Sequence, residues 1–275
     1  MNELPVAIRL NPFKGADGPA GEPIPWSPWG RILPERPVFT LDPLFHAGCY
    51  YVQDASAMYV GHIFRKALDK VGHKGIRVLD LCAAPGGKTT DLATSLRERY
   101  GDDFLLVSNE VMKERARVLS DNIALWGDPN ILVCSTDPAV LGRLSGFFDI
   151  IVADVPCSGE GMFRKDARAV EEWSEQTVQL CCSRQKRILA DIWPALKEGG
   201  VLVYSTCTFA PEENEETVAA FLESHPEFYP EAVDAPWFVK SDHESFRLLP
   251  HKLKGEGHFA AVLRRKGDEK VVCDS

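Results

Sequence analysis

The chain has 275 residues, of which 45% are hydrophobic and 26% charged, and this length fits one well-packed core with a small additional domain. No apolar run reaches the roughly 18 residues that a membrane span needs. Pro5 and Arg9 stand where a secretory signal would be apolar. The formal charge is −9, from 40 acids and 31 bases, which taken alone argues against a nucleic-acid-binding protein.

The acid excess is local. Residues 198–239 include nine acids and no Lys or Arg, and without these nine the acids and bases balance at 31 each. We expect many of the nine on the outer face of a helix that follows Pro211, so the net charge does not exclude RNA. Six bases near the motifs described below would form either an RNA path or ordinary solvated surface: Arg164, Lys165, Arg168, Arg247, Lys252 and Lys254.

The order of the apolar segments predicts an open α/β fold. Residues 1–45 are rich in proline and are predicted to be irregular or short-stranded. Strands are then predicted at 77–82, 104–110, 131–134, 148–154, 201–205, 247–249 and 259–264. Helices are predicted at 89–99, 112–126 and 174–197, and from Pro211 onward. Such alternation is typical of a mostly parallel sheet covered on both faces, where ligands bind beyond the carboxyl ends of the strands.

The segment after the first of these strands, CAAPGGKTT at 82–90, is rich in small residues and leads into a helix. Small residues let a ligand approach the backbone, and a helix N-terminus offers free N–H donors. A phosphate-binding loop is one interpretation, but position 82 is cysteine where that motif needs glycine, and Pro85 has no N–H. A loop that holds an adenosyl cofactor without phosphates is the other.

Three acids follow the next three strands: Glu110, Asp137 and Asp154. An acid just after the second strand is where dinucleotide folds bind a ribose diol. A ring of acids would repel a pyrophosphate but attract the sulfonium of S-adenosylmethionine. The alternative is that these acids only cap helices.

The eight cysteines form no C-x-x-C pair, which argues against a zinc site and predicts a reduced, cytoplasmic protein without disulfides. Cys157 and Cys207 differ from the rest because each follows a predicted strand within small polar residues. A thiolate that adds to carbon 6 of a pyrimidine turns carbon 5 into a nucleophile for a methyl group. Asp154 could hydrogen-bond or protonate the ring at N3, and the target base must be unstacked. Spacing does not decide which cysteine attacks.

Several motifs in order resemble the Nol/Nop/Sun family of RNA cytosine-5 methyltransferases. They are CAAPGGKTT, NE at 109–110, Asp137, DVPCSGEGMFRKD and STCTFAPEENE, and the match runs from about residue 52 to residue 264. GEGMFRKD and GEGHF resemble the bacterial branch that acts on small-subunit ribosomal RNA. The resemblance implies a Rossmann-like class I S-adenosylmethionine-dependent fold, with a mixed, mostly parallel sheet of seven strands and a small partial N-terminal domain.

The resemblance also implies roles for individual residues. Cys207, in the TCT motif, would attack the base, and Cys157 would assist product release. DNA cytosine methyltransferases instead place the nucleophile in the Pro-Cys motif, which here is Cys157. Asp154 would contact cytosine N3 and Lys88 would face the target base. The implied cofactor contacts are Cys82, Ala83, Ala84, Pro85, Gly86, Gly87, Lys88, Glu110, Arg115, Asp137 and Asp154.

The same comparison predicts a domain order: residues 1–45 as the remnant of an N-terminal RNA-binding domain with its linker, 46–266 as the catalytic domain and 267–275 as a tail. Members of this branch usually carry further RNA-binding domains, so we expect a fragment or a minimal member. The expected partner is ribosomal or transfer RNA. We expect the protein to act as a monomer that binds neither a metal ion nor a membrane. Two alternatives stay open: a noncatalytic RNA-binding or ribosome assembly factor that keeps the fold, and a phosphate-loop nucleotide-binding protein.

Overall fold

The computed structural model describes residues 5–234 and 237–267, and it begins with a small antiparallel sheet. Its elements are β1 (Ala7–Leu10), β2 (Glu22–Ile24), β3 (Ser27–Ile32), α1 (Pro43–His46) and β4 (Tyr50–Val52). The strand order is β2-β3-β1-β4. The predicted domain boundary at residue 45 therefore falls between two strands of this sheet. The predicted tail at 267–275 lies outside the described residues except for residue 267.

The main sheet contains the strands predicted from the α/β pattern of the sequence. Its strands are β5 (Ile76–Asp80), β6 (Phe104–Asn109), β7 (Ile131–Cys134), β8 (Phe148–Asp154), β9 (Leu196–Thr206), β10 (Phe228–Pro230), β11 (Val239–Lys240), β12 (Phe246–Leu248) and β13 (His258–Arg265). The order is β11-β12-β13-β9-β8-β5-β6-β7, with β10 beside β13. Strands β5 to β9 are parallel and β13 is antiparallel to β9. Beyond the seven predicted strands, the described residues add the short β10 and β11.

Helices cover both faces of this sheet. They are α2 (Tyr59–Val71), α3 (Gly87–Tyr100), α4 (Lys113–Trp126), α5 (Pro138–Leu141), α6 (Ala167–Glu172), α7 (Glu175–Ile192) and α8 (Glu215–Ser224). One apolar layer lies under α2 and α3, and the other lies under α7 and α8. The central strands are buried on both faces, which explains why the sequence of β8 is mostly apolar. No helix in the described part of the chain is long and apolar enough to cross a bilayer.

Two predicted helix boundaries were wrong. The helix predicted to reach residue 197 ends at Ile192, because Pro194 has no N–H to donate to the helix, and the chain continues as a 3-10 turn at Trp193–Ala195. The fifth strand consequently begins at Leu196 instead of residue 201. The helix predicted from Pro211 begins at Glu215, because residues 211–214 form turns in which Glu213 and Asn214 use their side chains to bind Ser158 and the Thr208 carbonyl.

The sheet's position in the core predicts a contrast between two leucines. Leu79 in β5 is fully buried, whereas Leu132 in β7 is 56% exposed. Leu79→Ala should lower the free energy of unfolding by about 3 kcal/mol, since it removes buried surface and leaves a cavity. Leu132→Ala, the matched control, should change it by less than about 0.5 kcal/mol. Urea unfolding measures both, and equal losses would contradict this layer arrangement.

Candidate active site

The parallel pairing of β8 with β9 brings the two cysteine loops together. Asp154 at the end of β8 lies opposite Ser205 near the end of β9, and the chain turns into a loop after each strand. The Sγ atoms of Cys157 and Cys207 are 3.3 Å apart. The N–H of Gly161 donates to the Cys207 carbonyl at 2.9 Å, which ties the first loop to the second. The two predicted thiols therefore do face each other at the sheet edge.

The small-residue loop after β5 is held by its carbonyl groups. Every carbonyl from residue 84 to residue 87 accepts a hydrogen bond from a side chain; the donors are, in order, Arg115 (2.8 Å), Asn122 (2.7 Å), Thr90 (3.0 Å) and Arg9 (3.0 Å). Gly86 has φ +114°, and a Cβ there would lie 3.2 Å from Leu119, so only glycine fits this turn. The loop thus presents the unbonded N–H groups of the first turn of α3 at the sheet edge.

The three predicted acids lie at neighbouring strand ends. Glu110, directly after β6, is buried, accepts from the Met112 N–H at 3.0 Å and lies 3.3 Å from Arg115. Asp137, after β7, is half-buried and caps α5 through the Ala139 N–H at 2.9 Å. Asp137 therefore does cap a helix. This set of carboxylates beside a loop of small residues suits a ligand that is cationic and carries hydroxyl groups.

Lys88 and Asp154 form an ion pair between the loop and the cysteines. Lys88 Nζ lies 2.7 Å from Asp154 Oδ2, and Ser205 Oγ donates to Asp154 Oδ1 at 2.8 Å. Burial opposes ionisation of Asp154, but Lys88 and His258 outweigh it and hold its pKa well below the usual range. Burial likewise opposes the charge on Lys88, and Asp154 outweighs it, so the Lys88 pKa is raised. With its ammonium held by Asp154, Lys88 does not serve as a free phosphate ligand.

The pKa values of the two thiols are shifted in opposite directions. A hydrogen bond from Cys157 lowers the pKa of Cys207, and Lys88 lowers it further against the opposing effect of burial. The same hydrogen bond, together with burial, raises the pKa of Cys157. The arrangement therefore favours a thiolate on Cys207 with Cys157 as its donor, and a thiolate is the nucleophilic form.

Buried polar groups support the Cys157 loop from behind. The Ser158 N–H donates to the Glu213 carboxylate at 3.0 Å. Gln185 Nε2 donates to the same carboxylate at 2.8 Å and to the Pro156 carbonyl at 3.0 Å. Five of the nine acids of residues 198–239 are exposed, whereas Glu213 and Glu215 are both buried. Glu215 is ion-paired with Arg247.

With this geometry in place, the chain can be compared with known proteins. A family model described as 16S rRNA methyltransferase RsmB/F matches residues 67–264. A second model, the N-terminal domain of 16S rRNA methyltransferase RsmF, matches residues 1–55. The chain belongs to the 16S rRNA methyltransferase RsmB/F family. Membership confirms the resemblance inferred from the motifs.

Curated relatives of the RsmB/F family are similar over most of this chain. Ribosomal RNA small subunit methyltransferase F of Cronobacter sakazakii is 37% identical over 278 residues, which cover 94% of this chain and 55% of the relative. The protein of the same name from Escherichia coli O157:H7 is 36% identical over 254 residues, covering 88% and 51%. The chain therefore spans about half the length of the curated relatives it matches.

Solved structures share the fold. A methyltransferase homolog protein from Pyrococcus horikoshii superposes with a TM-score of 0.79 at 27% identity, covering 96% of this chain and 87% of the other. NSun6 from the same organism, solved with SFG, an analogue of S-adenosylmethionine, has a TM-score of 0.70 at 28% identity and covers 85% and 57%. These likenesses confirm the predicted methyltransferase fold.

Sequence reasoning missed several residues of this RsmB/F family site. His258, given no role, is 2% exposed, and its Nε2 lies 3.4 Å from Asp154 Oδ1. That separation is an ion-pair distance, and Nε2 makes no well-directed hydrogen bond. Gln185 carried a detectable signal, since it is a polar residue on an otherwise apolar helix face. Glu213 carried none, because it lies within a run of acids typical of a surface.

Several of the six basic residues proposed to form an RNA path already make ion pairs or hydrogen bonds with other groups of the protein. Lys165 lies 2.9 Å from Glu256, Lys254 lies 2.6 Å from Glu22, and Arg168 pairs with Asp166. Arg164 donates to backbone carbonyls near residues 250 and 255. Exposed pairs of this kind are weak, so these bases can exchange an acid for a phosphate at little cost. No group of three or more His, Cys, Asp or Glu within the described ranges is placed to hold a metal ion.

Asp80, beneath the loop, predicts a pH dependence of stability. Burial is the main reason why its pKa is raised to about 7, and its Oδ1 has no hydrogen-bond partner. Because the folded pKa exceeds the unfolded pKa, folding favours the protonated acid, so stability is lost as the pH rises between those two values. Relative to Asp80→Asn, the wild type should lose about 2 to 3 kcal/mol of unfolding free energy between pH 5 and pH 8.

Denaturant titrations of both proteins across this pH range measure the difference. Thr89 Oγ1 donates to Asp80 Oδ2 at 2.6 Å, and an asparagine oxygen can accept the same bond. A difference that stays constant from pH 5 to pH 8 would show that Asp80 is ionised in the folded protein throughout.

Proposed function

We propose that this chain transfers a methyl group from S-adenosylmethionine to carbon 5 of a cytosine in RNA, and that its substrate is small-subunit ribosomal RNA. The observation that carries the proposal is the pair of thiols, 3.3 Å apart, with Lys88 and Asp154 at the same sheet edge. Membership of the 16S rRNA methyltransferase RsmB/F family supports it. The curated relatives, named as small subunit methyltransferases, support the choice of RNA.

The loop and the acids fit S-adenosylmethionine. The residues that would hold it are the loop from Cys82 to Lys88 and the carboxylates of Glu110, Asp137 and Asp154. The carbonyls of residues 84–87 are already bonded to side chains, so the loop offers N–H groups and the strand ends offer carboxylates. When bound, this cofactor supplies an electrophilic methyl group next to its sulfonium. Arg115 fits a supporting role, since it binds the Ala84 carbonyl and Glu110.

Cys207 performs the first covalent step in this proposal. Its thiolate adds to carbon 6 of the cytosine, and the electron pair of the C5–C6 double bond makes carbon 5 nucleophilic. The ionised carboxylate of Asp154 can accept a hydrogen bond from the cytosine amino group or from a proton at N3. Lys88 stabilises both the carboxylate and the nearby thiolate by its charge. The base must leave its helical stack to reach these groups.

Cys157 assists the last step. After methyl transfer, a base removes the carbon-5 proton and the electron pair of the C5–H bond re-forms the C5–C6 double bond. The C6–S bond breaks at the same time, and its electron pair returns to Cys207 as a thiolate. The hydrogen bond from Cys157 stabilises this leaving group just as it stabilises the free thiolate. Lys88, Asp154, Cys157 and Cys207 all belong to one chain, so we propose that the protein acts as a monomer. A ribosomal RNA substrate places it in the cytoplasm.

The two cysteines give opposite predictions for a test with small-subunit ribosomal RNA transcripts and labelled S-adenosylmethionine. Cys207→Ala should abolish methylation and form no covalent complex, because the attacking thiol is gone. Cys157→Ala should accumulate an RNA–protein adduct that resists denaturant, because elimination is slowed. Denaturing gel electrophoresis of the labelled RNA measures the adduct, and Cys182→Ala on α7 is the matched control with normal turnover.

An adduct in Cys207→Ala instead would reverse the two roles. A wild-type protein that binds the RNA but neither binds the cofactor nor methylates would favour the noncatalytic assembly factor.

A further inference from the structure

Arg9 reaches from the small N-terminal sheet into the catalytic domain. It lies in β1 and is 0% exposed. Its NH2 group donates to the Gly87 carbonyl at 3.0 Å and to Thr90 Oγ1, both in the first turn of α3. Its Nε donates to Gln53 Oε1 at 3.2 Å, just after the neighbouring strand of its own sheet. The guanidinium thus joins the small sheet to the helix that follows the cofactor loop.

The buried environment of Arg9 is energetically unfavourable for a cation. Its nearest acid, Asp91, lies 3.8 Å from Nε, and its NH1 is buried without a partner. The guanidinium carbon lies 4.7 Å from the centre of the Trp126 ring, at the end of α4. An apolar side chain of similar volume often stabilises a protein as well as such a buried pair does. A contribution to stability therefore does not by itself account for an arginine at this position. Its distinctive feature is the pair of hydrogen bonds that it donates to α3.

The bond to Gly87 has a direct consequence for Lys88. The peptide between them is planar, so the Gly87 carbonyl and the Lys88 N–H point in opposite directions. Fixing the carbonyl toward Arg9 therefore aims the Lys88 N–H away from the small sheet. The same peptide sets the start of the Lys88 side chain, whose ammonium holds Asp154 at 2.7 Å. Tyr51 and Gln53, also from the N-terminal segment, would lie 3.1 Å and 3.3 Å from a Cβ at Gly87.

We propose that Arg9 is a positioning residue for the cofactor: it fixes the Gly87–Lys88 peptide, so the N-terminal sheet contributes to S-adenosylmethionine affinity and not only to RNA binding. This inference rests on the proposed function, since it requires that the loop from Cys82 to Lys88 holds the cofactor. Arg9 acts through the backbone and touches neither substrate. The bond it provides is charge-assisted, and such bonds are stronger than neutral ones.

Arg9→Met tests the inference. The dissociation constant for S-adenosylmethionine, measured by calorimetry, should rise about tenfold to a hundredfold, as expected for loss of a hydrogen bond to a charged group. The KM for the cofactor should rise with it, while the dissociation constant for the RNA transcript stays within about twofold of the wild type. Arg9→Lys, which keeps the charge without the planar fork, should restore only part of the affinity.

Arg31→Met is the matched control, because Arg31 lies in β3 of the same sheet and donates to the carbonyls of Pro28 and Gly30 within that sheet. Its cofactor affinity should equal that of the wild type. If Arg9→Met does not fold, the double variant Arg9→Met/Asp91→Asn removes both buried charges and leaves only the partly exposed Arg65 without its carboxylate partner, and it should show the same weak cofactor binding.

Two results would overturn the inference: unchanged cofactor affinity in the Arg9 variants, or a loss of RNA affinity with cofactor affinity intact. Either result, with a wild type that binds the cofactor normally, contradicts the role of Arg9 alone. A wild type that binds no S-adenosylmethionine contradicts the proposed function, and the role of Arg9 with it.

Discussion

The parallel pairing of β8 with β9 is the constraint on which the rest of this site depends. Asp154 is registered against Ser205, so the chain leaves both strands at the same edge and the two cysteine loops meet. A slip of one residue would turn the side chains of either strand to the opposite face. The separation of 3.3 Å between the thiols is therefore a property of the sheet, and side chains such as Glu213 and Gln185 refine it.

Charge at this edge is organised around one cation. Lys88 carries a positive charge among Asp80, Glu110 and Asp154, and it keeps Asp154 ionised and Cys207 acidic in the same buried space. Its charge opposes the effect of burial on Asp154 and Cys207, together with His258 at Asp154 and Cys157 at Cys207. The carboxylates beside the loop favour binding of a cationic ligand. The net charge of −9 equals the nine acids of residues 198–239, whereas the acids at the strand ends belong to the part of the chain in which acids and bases balance.

The sheet and most of its site could be predicted from the sequence. The strand 148–154 was predicted to the residue, because it is mostly apolar, as expected for a strand buried on both faces, and ends at a polar residue. The positions of Cys157 and Cys207 followed from the rule that carboxyl ends of parallel strands share an edge.

Other features depend on contacts between distant segments, which local patterns do not show. His258 lies beside Asp154 only because β13 is antiparallel to β9, and Arg9 reaches Gly87 across 78 positions of sequence. The burial of Glu213 and Glu215 could not be predicted from the acidic segment, because their partners Ser158 and Arg247 come from other loops and strands. The long helix ends at Ile192, before the predicted residue 197, because Pro194 has no N–H to donate to the helix.

The central claim is that the two facing thiols share their protons unequally, with the thiolate on Cys207. Initial rates of iodoacetamide alkylation, followed for each cysteine by peptide mass spectrometry as a function of pH, measure this most directly, since only thiolates react. The account predicts that Cys207 is alkylated with a midpoint below the ordinary thiol pKa and that Cys157 reacts only at higher pH. A lower midpoint for Cys157 than for Cys207 would contradict it.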